Sequence, residues 1–310
     1  MALRHLLAAL LLAALPCSAT AQASTWIVDD DGPADFASLQ VAFNTVAPGS
    51  TLILRPGSYG TTILMGKGVR ILADGPGARS LRVRLSNLRA TQRFVYIGDG
   101  RESPDEPVRF RFEDCAGTIW LESMPVRIEN TVRNCDQLVL HDVRTTGGGL
   151  RIEGTELVAQ DSILTGRDGS DGLVYIDGGL DCVLGTWTLV PGQPGEPGLN
   201  VRAGAAVLVD CLLQAGDGGR GTTDCGEACS LTYFCTRGGN GGDAVRVEAG
   251  AKAYVFDCVL KAGELGEGGA NCDTGERCEP GLPGRLIGGD GIAEVHSRPG
   301  RRPLSGPRPR

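Results

Sequence analysis

Four arginines stand at the second place of a short alternating tetrad. The copies read Val126-Arg127-Ile128-Glu129, Leu150-Arg151-Ile152-Glu153, Val201-Arg202-Ala203-Gly204 and Val245-Arg246-Val247-Glu248. A fifth copy, Val174-Tyr175-Ile176-Asp177, puts tyrosine where the others have arginine. Guanidinium groups in a row suit recognition of carboxylates along an acidic polysaccharide, with an aromatic ring among them. The plainer reading is a solvated ion-pair lattice in which Glu129, Glu153, Asp177 and Glu248 neutralise the arginines. Surface ion pairs are common and worth only about 0–1 kcal/mol each, so the lattice is preferred. The arginine column still ranks first among the binding surfaces.

Such columns form only if the tetrads are strands stacked in register. Apolar and polar residues alternate within each copy, the period of a half-buried strand. The copies start 24, 24, 27 and 44 residues apart, and a strand recurring at that period predicts a solenoid, whose coils bury their apolar faces only by stacking. A second motif runs alongside: Asp114-Cys115, Asn134-Cys135, Asp161-Ser162, Asp181-Cys182, Asp210-Cys211 and Asp257-Cys258. Alternation predicts an inward stack of cysteines and one outward, turn-side stack of acids. The 44-residue interval holds a Cys- and Gly-rich insertion over residues 216–242, and a similar excursion covers 263–289. Leucine-rich repeats and propellers fit less well, the first lacking its signature and the second needing a longer period.

The ends and the composition set the compartment. Arg4 and His5 precede an apolar run and small residues suited to cleavage after Ala21 or Ala23, so residues 1–23 read as a signal peptide. Pro16 fits a lipoprotein reading at Cys17 poorly. No later stretch is long and apolar enough to span a bilayer. The protein is therefore expected to be secreted, periplasmic or on the cell surface. Net charge is −7; losing Arg4 makes it −8, and setting aside the five arginines of residues 297–310 leaves −13 on residues 24–296. That acidic body argues against nucleic acid, and the Pro/Arg tail has a disordered composition. Ten cysteines remain after cleavage, and disulfides are expected in an oxidising compartment.

Residues 24–59 form an opening block: strand Trp26-Ile27-Val28, turn Asp29-Asp30-Asp31-Gly32-Pro33, an amphipathic helix from Phe36 to Ala47, and strand Thr51-Leu52-Ile53-Leu54. With Pro56-Gly57-Ser58-Tyr59 and the rungs that follow, this block resembles the secreted bacterial right-handed parallel β-helix proteins of pectin-lyase-like type. The resemblance implies an all-β solenoid over residues 24–296, an N-terminal capping helix and disulfide-braced glycine-rich loops. It implies little about activity, because that fold hosts lyases, hydrolases, epimerases and adhesins. The Asn-Thr-Asp, Gly-His-Gly and Arg-Ile-Lys segments of polygalacturonase-like members are absent, and Arg127-Ile128-Glu129 and Arg151-Ile152-Glu153 put an acid where lysine belongs. His141 and Asp142 are neighbours on a strand and face opposite ways, so they form no dyad with each other.

Two further constellations have ordinary explanations. The aspartates before the cysteines offer the oxygen ligands Ca²⁺ takes, but turn-forming Asp and Asn bonding nearby backbone is preferred. Gly238 to Arg246 makes one weak match to a nine-residue calcium repeat. Cys225, Cys229, Cys235, Cys272 and Cys278 read as loop disulfides rather than a zinc site, with the pairing open; Cys115 and Cys135 either bridge adjacent rungs or form a buried thiol stack. The expected function is noncatalytic binding of an envelope or extracellular acidic polysaccharide, without a cofactor, on a face containing Arg127, Arg151, Tyr175, Arg202, Arg246, Glu129, Glu153 and Asp177. The alternatives are a polysaccharide lyase or glycoside hydrolase using the same residues, or a structural surface protein with no glycan ligand.

Overall fold

The computed structural model describes residues 23–75, 78–79, 81–101, 107–129, 131–177, 186–224, 234–269 and 277–296. Apart from Ala23 the expected leader lies outside the described residues, as do the tail at 297–310 and Cys182, Cys225, Cys229 and Cys272. The molecule is all-β, and its main sheet is parallel and wraps around an axis. That arrangement is compatible with a parallel β-helix.

Each full coil contributes strands to three faces. On the first face lie Thr61–Met65, Arg82–Ser86, Val108–Glu113, Thr131–Arg133, Leu150–Glu153, Leu199–Val201 and Val245–Val247, each paired parallel with the next. The second runs through Arg93–Ile97, residues 118–122 and 137–141, Thr155–Gln160, Gly204–Val209, Lys252–Phe256 and Ile292–His296. Residues 124–126 and 143–145, with Ile163–Thr165, Leu212–Gln214 and Val259–Lys261, make the third. Alternation fixes the core: in Arg82–Ser86 only Val83 and Leu85 are buried. Phe94, Tyr96, Phe110 and Phe112 fill the early coils with stacked and edge-on rings. At the N-terminal end, the helix Leu39–Thr45 buries Leu39, Ala42 and Phe43 in the same core.

The corners between faces are single left-handed residues. Asn87, Asp114 and Asn134 turn the first corner, and Ser123, Asp142, Asp161, Asp210 and Asp257 the second, all with φ between 50° and 56°. Asn and Asp tolerate that conformation better than other side chains because they bond locally. The single acid stack expected from sequence is thus two stacks at two corners. Asn134 donates from Nδ2 to Asp114 Oδ1 at 3.0 Å, joining successive turns of the first.

The described cysteines of the coil point inward as expected, and none of them is bridged. Cys115, Cys135, Cys211 and Cys258 are free thiols, so of the two readings at Cys115 and Cys135 the disulfide is corrected and the buried thiol stack is the one found. Both are buried, and their Sγ atoms lie 3.4 Å and 3.3 Å from the Glu113 and Arg133 carbonyls. Among the described residues one disulfide is present, Cys235–Cys278.

A larger correction concerns the fifth tetrad. Leu173–Asp177 pairs antiparallel with Thr186–Val190 in a separate two-stranded sheet, while Leu150–Glu153 pairs directly with Leu199–Val201. Tyr175 and Asp177 therefore belong to no column of the solenoid. The chain leaves the coil after Thr165, turns through this hairpin and returns at Leu199. It is the first of three excursions from one edge.

The stems of these excursions share a three-residue glycine period: Gly166, Gly169 and Gly172 out, Gly192, Gly195 and Gly198 back. Stems of successive excursions are bonded through backbone, as in Gly169 N–H to Asp217 O at 2.7 Å and Gly219 N–H to Gln193 O at 2.9 Å. Extended helices with three residues per turn place every third residue against their neighbours, and only glycine fits a crowded axis of that kind. A Cβ on Gly219 would lie 1.9 Å from Ser170 O. Side chains at the other positions take up spare donors: Asp168 Oδ1 accepts Asp217 N–H at 2.8 Å, and Asp217 Oδ1 accepts Glu264 N–H at 2.7 Å. The residues resembling a calcium repeat act likewise, Asn240 and Asp243 accepting from Leu282 and Arg285 N–H. The described stems of the glycine-rich stretches are thus bonded through their own backbone, beside the one described disulfide, Cys235–Cys278.

A candidate anion-binding groove on the first face

The outward side of the first face carries three register columns. One brings Arg82, Arg109 and Arg127 together. The central one runs Arg84, Arg111, Thr131, Arg151, Asn200 and Arg246. In the third, Glu113, Arg133 and Glu153 are paired, and Arg202 and Glu248 continue it from strands in which Val201 faces Ile152 and Val247 faces Val201.

The tetrads are therefore not stacked as copies. Between Arg127 and Thr131 the chain inserts residues 129–130, moving Arg127 out of the line of Arg151. The tetrad at Val201 is displaced by two residues, so Asn200 follows Arg151 and Arg202 falls beside Glu153. A two-residue slip leaves every side chain on its own face, so alternation cannot detect it. The result is a column of alternating sign (Glu113, Arg133, Glu153, Arg202, Glu248) at the ~4.8 Å strand spacing. Arg133 meets Glu153 at 3.2 Å and Arg202 meets Glu248 at 3.6 Å. This is the expected lattice, with acid and base alternating along a column rather than lying in separate columns.

Over this floor the first excursion raises a wall. Residues 167–170 and 193–197 stand on one side and the Gly147–Gly149 loop on another, enclosing two joined clefts of 640 and 740 Å³ that share Arg151, Arg167, Glu196 and Arg202. Glu196, from the excursion, takes Arg151 and Arg167 on the same Oε1 at 3.0 and 3.3 Å. Two guanidinium groups from different elements are thereby fixed in one place. Gly147, at φ +74°, brings its loop close to Arg127; a Cβ there would lie 3.2 Å from Arg127 Nε.

Across the two clefts, carboxylates and arginines are mostly matched: Arg111 with Glu113 at 2.7 Å, Arg109 with Glu129 at 3.8 Å. Arg127 and Arg246 differ, since among the described residues neither has a carboxylate partner. Between Arg151 and Arg246 sits Asn200, 6% exposed, whose Oδ1 accepts no hydrogen bond among the described residues. Of the residues expected from sequence, Arg127, Arg151, Arg202, Arg246, Glu129 and Glu248 line the groove, and Glu153 holds Arg133 at its edge. Arg167, Glu196 and Asn200 were not foreseen. The first two lie in glycine-rich stems and the third outside the tetrad as aligned.

Two other polar clusters lie elsewhere. His141, on the second face, is 3.4 Å from Glu122 and 3.9 Å from Asp161, not beside Asp142. Asp29, Asp30 and Asp31 bring their carboxylates within 4.8 Å of one another. Asp29 meets Arg55 at 3.3 Å and Asp30 accepts Ser58 N–H at 2.8 Å; the Asp29 side chain and the nearby charges push Asp31 above the usual carboxylate range. Asp29 and Asp30 are thus accounted for as parts of the opening turn. Among the described residues no helix is long and apolar enough to cross a membrane.

Comparison of the chain with protein-family models, with curated proteins and with solved structures finds no match.

Proposed function

We propose that this chain is an exported, noncatalytic right-handed β-helix of pectin-lyase-like type, capped by its N-terminal helix, that binds acidic polysaccharide along the groove on its first face. The observation that carries this reading is the pair Arg127 and Arg246, half-buried and exposed respectively in a walled groove and without a carboxylate partner among the described residues. The other arginines that line the two clefts are already matched, which favours two anchoring points over a uniformly basic surface. Guanidinium groups bind carboxylate through paired N–H donors, and an anionic chain would complete what the protein leaves open.

The noncatalytic part rests on the same pairing. General acid–base chemistry needs a carboxylate and a base converging on one reacting atom. Glu113, Glu129, Glu196 and Glu248 instead each face an arginine. The test is a panel of acidic polysaccharides, including polygalacturonate and alginate, measuring binding together with release of reducing or unsaturated ends, with and without Ca²⁺. Binding is expected to weaken about tenfold, or ~1.4 kcal/mol, in Arg127→Ala and in Arg246→Ala, and to fall with added salt. Turnover that disappears in Arg151→Ala and Glu153→Ala would establish the enzyme instead. Absence of binding with the fold intact would leave a structural surface protein.

A further inference from the structure

The outward side of the second face is built differently. Register places Val95, Trp120, Val139, Val158, Val207 and Tyr254 in one column across six successive coils. At ~4.8 Å per coil the column is roughly 24 Å long. These are solvent-side positions: Trp120 is 36% exposed, and the other five are half-buried. A strand with one face in water ordinarily places polar residues there, and threonine would serve the strand as well as valine. Six apolar residues in succession are therefore not explained by the needs of the fold.

Over the three middle coils the flanking columns are polar: Thr118, Gln137 and Glu156 line one side, and Glu122, His141 and Gln160 the other. Toward the ends the second side carries Ile97, Val209 and Phe256, and the first carries Arg93, Ala205 and Lys252. Trp120 Nε1 donates to Glu122 Oε2 at 2.9 Å, and Glu122 Oε1 lies 3.4 Å from His141 Nδ1. The indole's one donor is thus satisfied within the protein. What it offers to solvent is the carbon surface of a ring already held in place, which lowers the entropic cost of binding against it.

A strip one side chain wide in the middle, two at its ends, and about 24 Å long offers far less than the ~800 Å² per partner that a stable protein interface buries. A second copy of the chain is a poor occupant. A narrow ribbon with apolar faces and hydrogen-bonding edges is a good one. We propose that this column is a track for an uncharged, linear, β-linked glycan running along the coil axis. Its pyranose faces rest on the apolar column and its hydroxyls meet the amide and hydroxyl groups of Thr118, Gln137 and Gln160. One coil spacing is close to the advance of one β-1,4-linked sugar, so successive rings meet equivalent positions. The track lies on a different face from the arginine groove and does not depend on it.

The test is retention of the full chain, after leader removal, on cellulose, chitin, xylan and mannan. At least one neutral glycan should retain the protein. Trp120→Ala should reduce that retention about tenfold, while Arg127→Ala and Arg246→Ala leave it unchanged. The double variant Val139→Thr/Val158→Thr, which keeps shape and β-branching, should also lower it, separating a lost contact from a lost fold. Retention on none of the four, or retention that both stripe variants leave intact, would overturn the proposal. So would a dimer in sedimentation experiments that Trp120→Ala dissociates, which would assign the stripe to self-association.

Discussion

Cys211 and Cys258 occupy the same inward position on adjacent coils but different environments. Cys211 is buried, and its side-chain hydrogen bond with Cys258, together with burial, pushes its thiol up. Cys258 is half-buried; the hydrogen bond from Cys211 holds it below the ordinary thiol range, and Cys211 N–H donates to its Sγ at 3.3 Å. Thiolate character and access together govern alkylation. Of the four described core thiols, Cys258 should therefore react first with iodoacetamide in the native protein, with Cys115, Cys135 and Cys211 protected until unfolding. Mass spectrometry of the labelled protein checks this; simultaneous labelling of all four would show that the coils open more readily than their packing implies. At this scale the sequence was informative about residue type and direction: inward cysteines, outward arginines, turn-forming aspartates. It was silent on partners, because Glu196 reaches Arg151 and Arg167 from an excursion of the chain that no local pattern connects to them.

Among the elements, the strands were legible and the glycine stems were not. Alternation identifies a strand from a few residues. A stem that bonds only to other stems has no such signature, and its three-residue period is masked where glycines are doubled, as at Gly238-Gly239 and Gly241-Gly242. The close approach of neighbouring backbones makes this element sensitive to one added methyl group. Gly219→Ala and Gly239→Ala, whose Cβ atoms would lie 1.9 and 2.0 Å from carbonyl oxygens of other stems, should each destabilise the excursions by about 1–3 kcal/mol or more, the usual range for overpacking. Ser170→Ala, at an exposed position of the neighbouring stem, should be near neutral. Hydrogen exchange would localise the damage: loss of protection in the stems with the coil strands unchanged is the expected pattern. Equal behaviour of the glycine and serine variants would mean the stems do not pack as described.

At the scale of the molecule, the coil and the excursions are joined in series along one edge, and Cys235–Cys278 ties the second excursion to the third across 43 residues. Closing a loop of that length stabilises by about 2–4 kcal/mol in chain-entropy terms. Cys235→Ser with Cys278→Ser should lower the denaturation midpoint of the excursions while leaving the coil's far-ultraviolet signal at low denaturant unaltered. A single loss of both signals would show that excursions and coil unfold as one unit. What the sequence determined by itself was the parallel coil, its inward and outward faces and the charged residues of its first face, because a period of two and a recurrence near 24 residues are written locally. Only the tertiary structure decided which residues on that surface are neighbours. A two-residue slip preserves the face while changing every partner, so it placed Asn200 rather than Arg202 beside Arg151. It also set the acids of the third column in alternation with Arg133 and Arg202, and left Arg127 and Arg246 as the cleft-lining arginines without a carboxylate partner among the described residues.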